Sequence, residues 1–395
     1  MRKKALPIYI FSFFMIMPLH AVLPVLPLIR DELQASYSEI SFFVASIGII
    51  RLVLAFPSGY LVDRFDKKKM LLFSGALSVT GLLLMSFSHS IYQLILSRIF
   101  IGTSSILCTI TILVVLSELA GANSKAMMMS MNNVIHNAGG IIAPVFAGFL
   151  SGLHNWRLPF IVNAAFIGLS MVMIVLTVPS LKSTTANTIK EPGSKKNNLL
   201  PLGFGAEILR LIPVFGLSIF VFFYRSGLRH NLIPFYAKDV FHISTEALGF
   251  YISLTGMVAM ISIFVSGHLA DRYGRKAVLM PAVIVSALAA AALLLPEGLN
   301  PLLIACILVG TGAIINSMPN ILITDIASPG SVGKLIGINR IFADSGYLVG
   351  SVSVGMILDS FGFSVPVYVI AGFAAVTLVM IAFFIHNKPV DLGAK

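Results

Sequence analysis

The sequence predicts an all-α membrane protein of about twelve spanning helices, set out as two related six-helix bundles. Three observations predict it. Of 395 residues, 57% are hydrophobic and 11% charged, more apolar surface than a soluble core absorbs. Apolar runs of spanning length, roughly 20 residues, recur along the whole chain. Basic residues gather in alternate loops.

The first run, Ala5 to Ile29, carries no charge apart from a possible His20 and follows Arg2, Lys3 and Lys4. A signal peptide shows the same order, but this run is too long for one and many similar runs follow, so it is read as a retained first span. Spans are expected at roughly 7 to 29, 40 to 62, 70 to 89, 91 to 117, 127 to 152, 158 to 179, 208 to 236, 246 to 270, 277 to 295, 300 to 324, 335 to 358 and 364 to 385. With the N-terminus inside, the inner segments hold Arg64, Lys67, Lys68, Lys69, Lys125, Lys182, Lys190, Arg272, Arg275, Lys276, Lys334 and further lysines. The outer loops hold only Arg30, Arg157 and Lys238. This bias places both termini in the cytoplasm and accounts for the net charge of +11 without a nucleic-acid partner. Cys108 and Cys306 fall inside apolar runs, so neither a disulfide nor a metal site is expected.

Between the sixth and seventh spans the composition turns polar, from Lys182-Ser183-Thr184 to Lys195-Lys196-Asn197-Asn198, which cannot bury a core. The expected organisation is therefore a bundle over 1–180, a cytoplasmic linker over 181–206 and a second bundle over 207–395. A linker near the midpoint suggests duplication. Gly59-Tyr60-Leu61-Val62-Asp63-Arg64 matches Gly267-His268-Leu269-Ala270-Asp271-Arg272 at an offset of 208. Pro27 with Pro234, Glu118 with Asp325, and Gly148 with Gly355 match at 207.

The run Gly267-His268-Leu269-Ala270-Asp271-Arg272-Tyr273-Gly274-Arg275-Lys276 resembles the loop signature of the major facilitator superfamily. The first copy, Gly59 to Lys69, has Asp66 where the second glycine is expected; aspartate tolerates the left-handed backbone that such a turn favours. A glycine at the helix end suits close approach of a neighbour, and the aspartate suits the positive N-terminus of another helix. The resemblance implies that Asp63 faces the start of the eleventh helix and that Arg64 reaches Glu118. It makes Arg272 and Asp325 the equivalent pair, in a cluster that locks the cytoplasmic side. The plain alternative is that these are surface charges that set topology.

Arg98-Ile99-Phe100-Ile101-Gly102 resembles the arginine element of proton-coupled members. Gly102 matches Gly310, whereas Arg98 has Cys306 opposite it in the second half. An arginine in a span is costly unless it meets a wet cavity or a partner, the alternative being a side chain that reaches up to surface water. The fifth span carries Gly139-Gly140-Ile141-Ile142-Ala143-Pro144-Val145-Phe146-Ala147-Gly148, similar to an element of the drug:proton antiporter branch, with Ala143 and Ala147 in place of two glycines. That element is associated with export, and the alternative for Gly140, Pro144 and Gly148 is a generic packing seam. Gly346, Gly350 and Gly355 repeat it in the eleventh span.

Proton coupling needs a titrating group in the cavity. The middle of the first span has no carboxylate, and the candidates are His20, His136, Asp344, Glu118 and Asp325. Asp344 follows Arg340 by four residues, so the two share a helical face and neutralise each other in the plain reading; Arg340 is grouped with the gating charges. Arg51, deep in the second span, and Arg225 with Arg229 in the seventh are unexplained by topology and suit an anionic ligand, the alternatives being that Arg229 reaches outer water and that Arg51 pairs with a carboxylate across the bundle interface.

Two transport readings follow. The leading one is a secondary-active, proton-coupled exporter of a small amphipathic compound or drug, working by alternating access in the cytoplasmic membrane, with a monomer implied by the resemblance. The other is a proton-coupled importer of a small organic anion through Arg51, Arg98 and Arg225. An enzyme is not expected, because no nucleophile with its base, metal-ligand spacing or phosphate loop occurs; no cofactor or metal is called for.

Overall fold

A computed structural model describes residues 2–120, 124–152, 155–179, 204–328 and 331–385. The linker expected over 181–206 lies outside the described residues as far as residue 203. Among the described residues, twelve helices are long and apolar enough to cross a membrane. They are α1 (Ala5–Leu33), α2 (Tyr37–Arg64), α3 (Lys67–Ser86), α4 (Ile91–Leu119), α5 (Lys125–Ser151), α6 (Leu158–Thr177), α7 (Ile208–Asp239), α8 (Thr245–Tyr273), α9 (Arg275–Leu294), α10 (Pro301–Ile326), α11 (Val332–Phe361) and α12 (Ser364–Phe384). Helices are the natural choice for such runs, because a segment in hydrocarbon must satisfy its own backbone polar groups.

Several helices run past the expected span ends, since polar caps outside the apolar run extend them. Ser36 and Glu39 form a reciprocal box at the start of α2: Ser36 N–H donates to Glu39 Oε2 at 2.8 Å and Glu39 N–H to Ser36 Oγ at 3.1 Å. Asp66 accepts from Lys69 N–H at 3.0 Å to open α3, and Asn300 accepts from Leu303 N–H at 3.4 Å before α10. Prolines break the regular run. α1 tightens to a 3₁₀ turn at Leu23–Val25, where Pro24 has no N–H to give, and α10 does the same at Ala313–Asn316, just before Pro319.

The chain divides into two compact units. Unit 1 comprises Met1–Ala35, Ser46–Asn197 and Ser244–Phe250; unit 2 comprises Ser36–Ala45, Asn198–Ile243 and Tyr251–Lys395. The first turns of α2 thus group with unit 2, and the first turns of α8 with unit 1. Within unit 1, α1 packs on α4, α5 and α6, and α3 on α4 and α6. Unit 2 repeats this with every helix number advanced by six: α7 on α10, α11 and α12, and α9 on α10 and α12.

The tightest packings repeat too. A Cβ placed on Gly139 would sit 2.5 Å from the carbonyl oxygen of Phe13 in α1; one on Gly346 would strike the Ile219 backbone of α7, with Cα at 2.8 Å. Gly102 abuts Ile50 of α2 at 3.0 Å, and its match Gly310 abuts Val258 of α8 at 2.6 Å. Close helix approach therefore rests on glycines embedded in the spans. At Gly59 and Gly267, where close approach is also expected, nothing among the described residues lies within 4 Å of a Cβ. Both are half-buried on helix faces without a close neighbour, so their missing side chains make no room for one.

Gly139→Val and Gly346→Val are each expected to cost about 1–3 kcal/mol, because backbone rather than a flexible side chain blocks the new atoms. Gly59→Ala and Gly267→Ala should not lower stability, since alanine favours a helix by about 0.5–1 kcal/mol over glycine. Thermal unfolding followed with a thiol-reactive dye reads both outcomes, as Cys108 and Cys306 are free and buried. Equal losses at all four glycines would contradict this assignment.

Candidate functional site

The two signature loops lie at the ends of α2 and α8. At the first, Asp66 has φ −57° and ψ 128°, so the expected left-handed aspartate is not found. Its side chain caps α3 instead, which an extended backbone allows. The glycine of the second copy, Gly274, does use the left-handed region, at φ 87°. Lys67 is buried, and its ammonium donates to the carbonyls of Val62, Asp63 and Phe65, the last two at 3.3 Å. The next lysine reaches further: Lys68 Nζ donates to the Val175 carbonyl at 2.8 Å, near the end of α6. Its match Lys276 does the same to Ala382 at 2.6 Å, near the end of α12. Each loop thus places a cation on the negative C-terminal end of the last helix of its unit.

The charge pairs expected at these loops are rearranged. Arg64 donates to Tyr60 Oη at 3.1 Å and makes no ion pair with Glu118, which is exposed in the field of Lys67 and Asp66. Asp325 is bonded by Arg275 Nε at 3.1 Å rather than by Arg272, whose guanidinium lies over the Tyr273 ring at 5.3 Å. Arg64 and Arg272 are exposed in the last turns of their helices, where a tyrosine of the same helix end is the nearer partner. Arg275 instead opens α9, which packs on α10. Asp63 is exposed, and the side chain of Asp271 lies outside the described residues.

Inside unit 1, Arg98 is 2% exposed in α4, which removes the reading of it as a charge reaching surface water. The His20 ring of α1 lies against Gly140 of α5, its Nε2 3.2 Å from where a Cβ would stand. Two sequence candidates from separate motifs are thereby brought together. His136 Nδ1 and Ser12 Oγ are 3.3 Å apart, so α1 and α5 share a second polar contact, and Arg51 of α2 is within electrostatic reach of that histidine. Further along α5, Gly148 fits against Glu246 Cα at 3.2 Å and Gly249 Cα at 3.3 Å of α8, while Gly249 fits against Pro144.

In unit 2, Arg340 Nε bonds Asp344 Oδ2 at 2.8 Å, the pair expected from their spacing. Gly346 and Gly350 receive the backbone of α7, and Gly355 receives Ser41 of α2 with its Oγ at 2.5 Å, so the α11 seam repeats the α5 seam. Arg225 and Arg229 lie on a π-helical stretch of α7.

Two polar clusters that tie helix ends together were not read from the sequence. Trp156 Nε1 donates to Glu32 Oε2 at 2.5 Å, Arg157 pairs with Glu32 Oε1 at 2.6 Å, and Arg157 Nη2 donates to Ser88 O at 3.0 Å. These tie the end of α1 and the α3–α4 turn to the start of α6. In unit 2, Asp359 at the end of α11 accepts from the N–H groups of Tyr37 and Ser38, both at 2.9 Å, and Tyr37 Oη donates to Asp239 at 2.8 Å. A carboxylate there meets the positive N-terminus of α2. The Ser36-x-x-Glu39 capping box was the available signal for that terminus; its carboxylate partner is 322 residues from Tyr37.

Comparison with known proteins accords with this architecture. The sequence model described as Major Facilitator Superfamily matches residues 8–295 and 214–395. Multidrug resistance protein 1 of Bacillus subtilis (strain 168) is 27% identical over 264 residues, 64% of this chain and 62% of that protein. Quinolone resistance protein NorA of Staphylococcus aureus (strain MRSA252) is 23% identical over 392 residues, 96% and 97% of the two chains. Among solved structures, the nucleoside transporter NupG superposes with a TM-score of 0.79 at 16% identity, covering 98% of this chain and 100% of that one. A bacterial homologue of the human lysosomal transporter Spinster, inward-facing and occupied, gives 0.80 at 14% identity, covering 97% and 96%. A sequence match along nearly its whole length and a shared twelve-helix fold place this chain in the Major Facilitator Superfamily, as a multi-pass membrane transporter of small molecules and not an enzyme.

Proposed function

We infer that the protein exports small amphipathic compounds in exchange for protons, by alternating access of its two units, as a monomer with both termini cytoplasmic. The observation that carries export is the similarity, over 392 residues, to a protein named for quinolone resistance. The seam of α5 supports it: Gly139 and Gly140 receive α1, and Gly148 receives the first turns of α8. The basic residues of alternate loops support the orientation.

Proton exchange requires a group that titrates near neutral pH, and histidine's ordinary pKa is about 6.5. His20 and His136 both stand at the α1–α5 contact, with Arg51 near His136. In this mechanism Arg98 holds the charge balance of the unit 1 interior, so that proton uptake and cargo release stay linked. The signature-loop residue Asp63 acts in gating, and Lys68 and Lys276 fix the helix ends against which the loops move.

Inverted membrane vesicles from cells making the protein should take up an amphipathic dye when their interior is acid, and a protonophore should abolish this uptake. Uptake found instead in right-side-out vesicles, driven by an inward proton gradient, would mean that the protein imports.

In a host lacking its own efflux systems, expression should raise resistance to one or more amphipathic toxins. Arg98→Ala and Asp63→Asn should each lower that resistance about tenfold, the effect of losing about 1.4 kcal/mol. Full resistance in both variants, at equal protein levels in the membrane, would contradict the roles given to these residues.

A further inference from the structure

The polar groups at the heart of unit 2 come chiefly from α7 and α11. α7 is irregular there: Arg225–Leu232 forms a π-helix, a wide turn that recurs at functional sites because it re-aims side chains. His230 and Asn231 on this stretch have partners. His230 Nδ1 meets Tyr347 Oη at 2.9 Å, and the Asn231 amide donates to the Ser226 carbonyl at 2.7 Å and to Ser351 Oγ at 2.8 Å.

Arg225 and Arg229 lie on the same stretch. The Nε of each is buried without a hydrogen-bond partner, and among the described residues neither arginine has a carboxylate within ion-pair distance. The two are within electrostatic reach of each other and of Tyr347, and Arg225 is within reach of Arg340. Asp344, one turn from Arg340 on α11, is already taken by it at 2.8 Å. Of these three arginines only Arg340 has a carboxylate partner among the described residues, which leaves two positive charges inside a membrane-spanning helix. An uncompensated arginine at the centre of a span is costly and marks a functional position. Guanidinium groups match carboxylates in planarity and donor spacing, and Tyr347 adds a hydroxyl beside them.

We propose that Arg225 and Arg229, presented by the π-turn of α7 beside Tyr347, bind the carboxylate of an amphipathic anion or zwitterion. This rests on the transport reading and deepens it by giving the cargo a charge. It does not require import, because an exporter meets the same anionic group from the inner side. The apolar remainder of the ligand has aromatic surface close by, since Tyr224 adjoins Arg225 and stacks on Phe220 at 6.0 Å.

The test compares 2-naphthoate with the neutral 2-naphthamide, titrated calorimetrically into full-length protein in nanodiscs. Wild type should bind the acid at least about tenfold tighter than the amide, the scale of one charge-assisted contact of about 1.4 kcal/mol. Arg225→Gln and Arg229→Gln should each remove most of that preference without lowering the unfolding temperature, and Arg225→Lys should restore part of it. Failure of wild type to bind naphthoate, equal affinity for acid and amide, or a preference that survives in the double glutamine variant would overturn the proposal. An intact naphthoate preference in a protein that moves no dye in vesicles would uphold this site while removing the export reading.

Discussion

Hydrocarbon offers no water to a polar group, and the rest of the structure follows from that constraint. Backbone N–H and C=O groups are satisfied inside twelve helices, and several charged side chains near the helix ends are placed where something answers them. Lys67, Lys68 and Lys276 end on helix carbonyls. Asp359 ends on helix N–H groups. Arg340 and Asp344 answer each other along one face of α11. With such placements filled, the groups left over inside the spans stand out as working parts.

Duplication gives two units the same scaffold and leaves their polar interiors free to diverge. Gly139 and Gly346, Gly102 and Gly310, and Lys68 and Lys276 hold matched helices in matched ways. The interior chemistry does not repeat. Unit 1 has a buried Arg98 and places His20 on a glycine of α5. Unit 2 has Cys306 at the position matching Arg98 and carries its arginines on a π-turn instead. The scaffold is shared, and the unlike interiors are where the two units differ in chemistry.

The spans and the repeat were readable from sequence because both are written in periodic, local composition. The repeat offset survives as physical contact at Gly139 and Gly346. What sequence could not supply was direction. Arg64 and Arg272 lie in the right loops, yet both turn toward a tyrosine of their own helix end, and Asp325 goes to Arg275, three residues on. Side-chain aim depends on the angle at which a helix ends, which no motif spacing records. The π-turn in α7 escaped for a related reason: its eight residues read as ordinary helix, and only the backbone shows the widened turn. The contacts of Glu32 with Trp156 and Arg157 join groups more than 120 residues apart, beyond any local pattern.

The central claim is that cargo and proton are exchanged, with the proton carried at the α1–α5 contact of unit 1. Its most direct measurement is proton release from purified protein in weakly buffered solution, followed across the acid to neutral range, when an amphipathic cargo is added. The account predicts release by wild type, and loss of that release in the double variant His20→Gln/His136→Gln even though cargo still binds. Undiminished release from the double variant would contradict it.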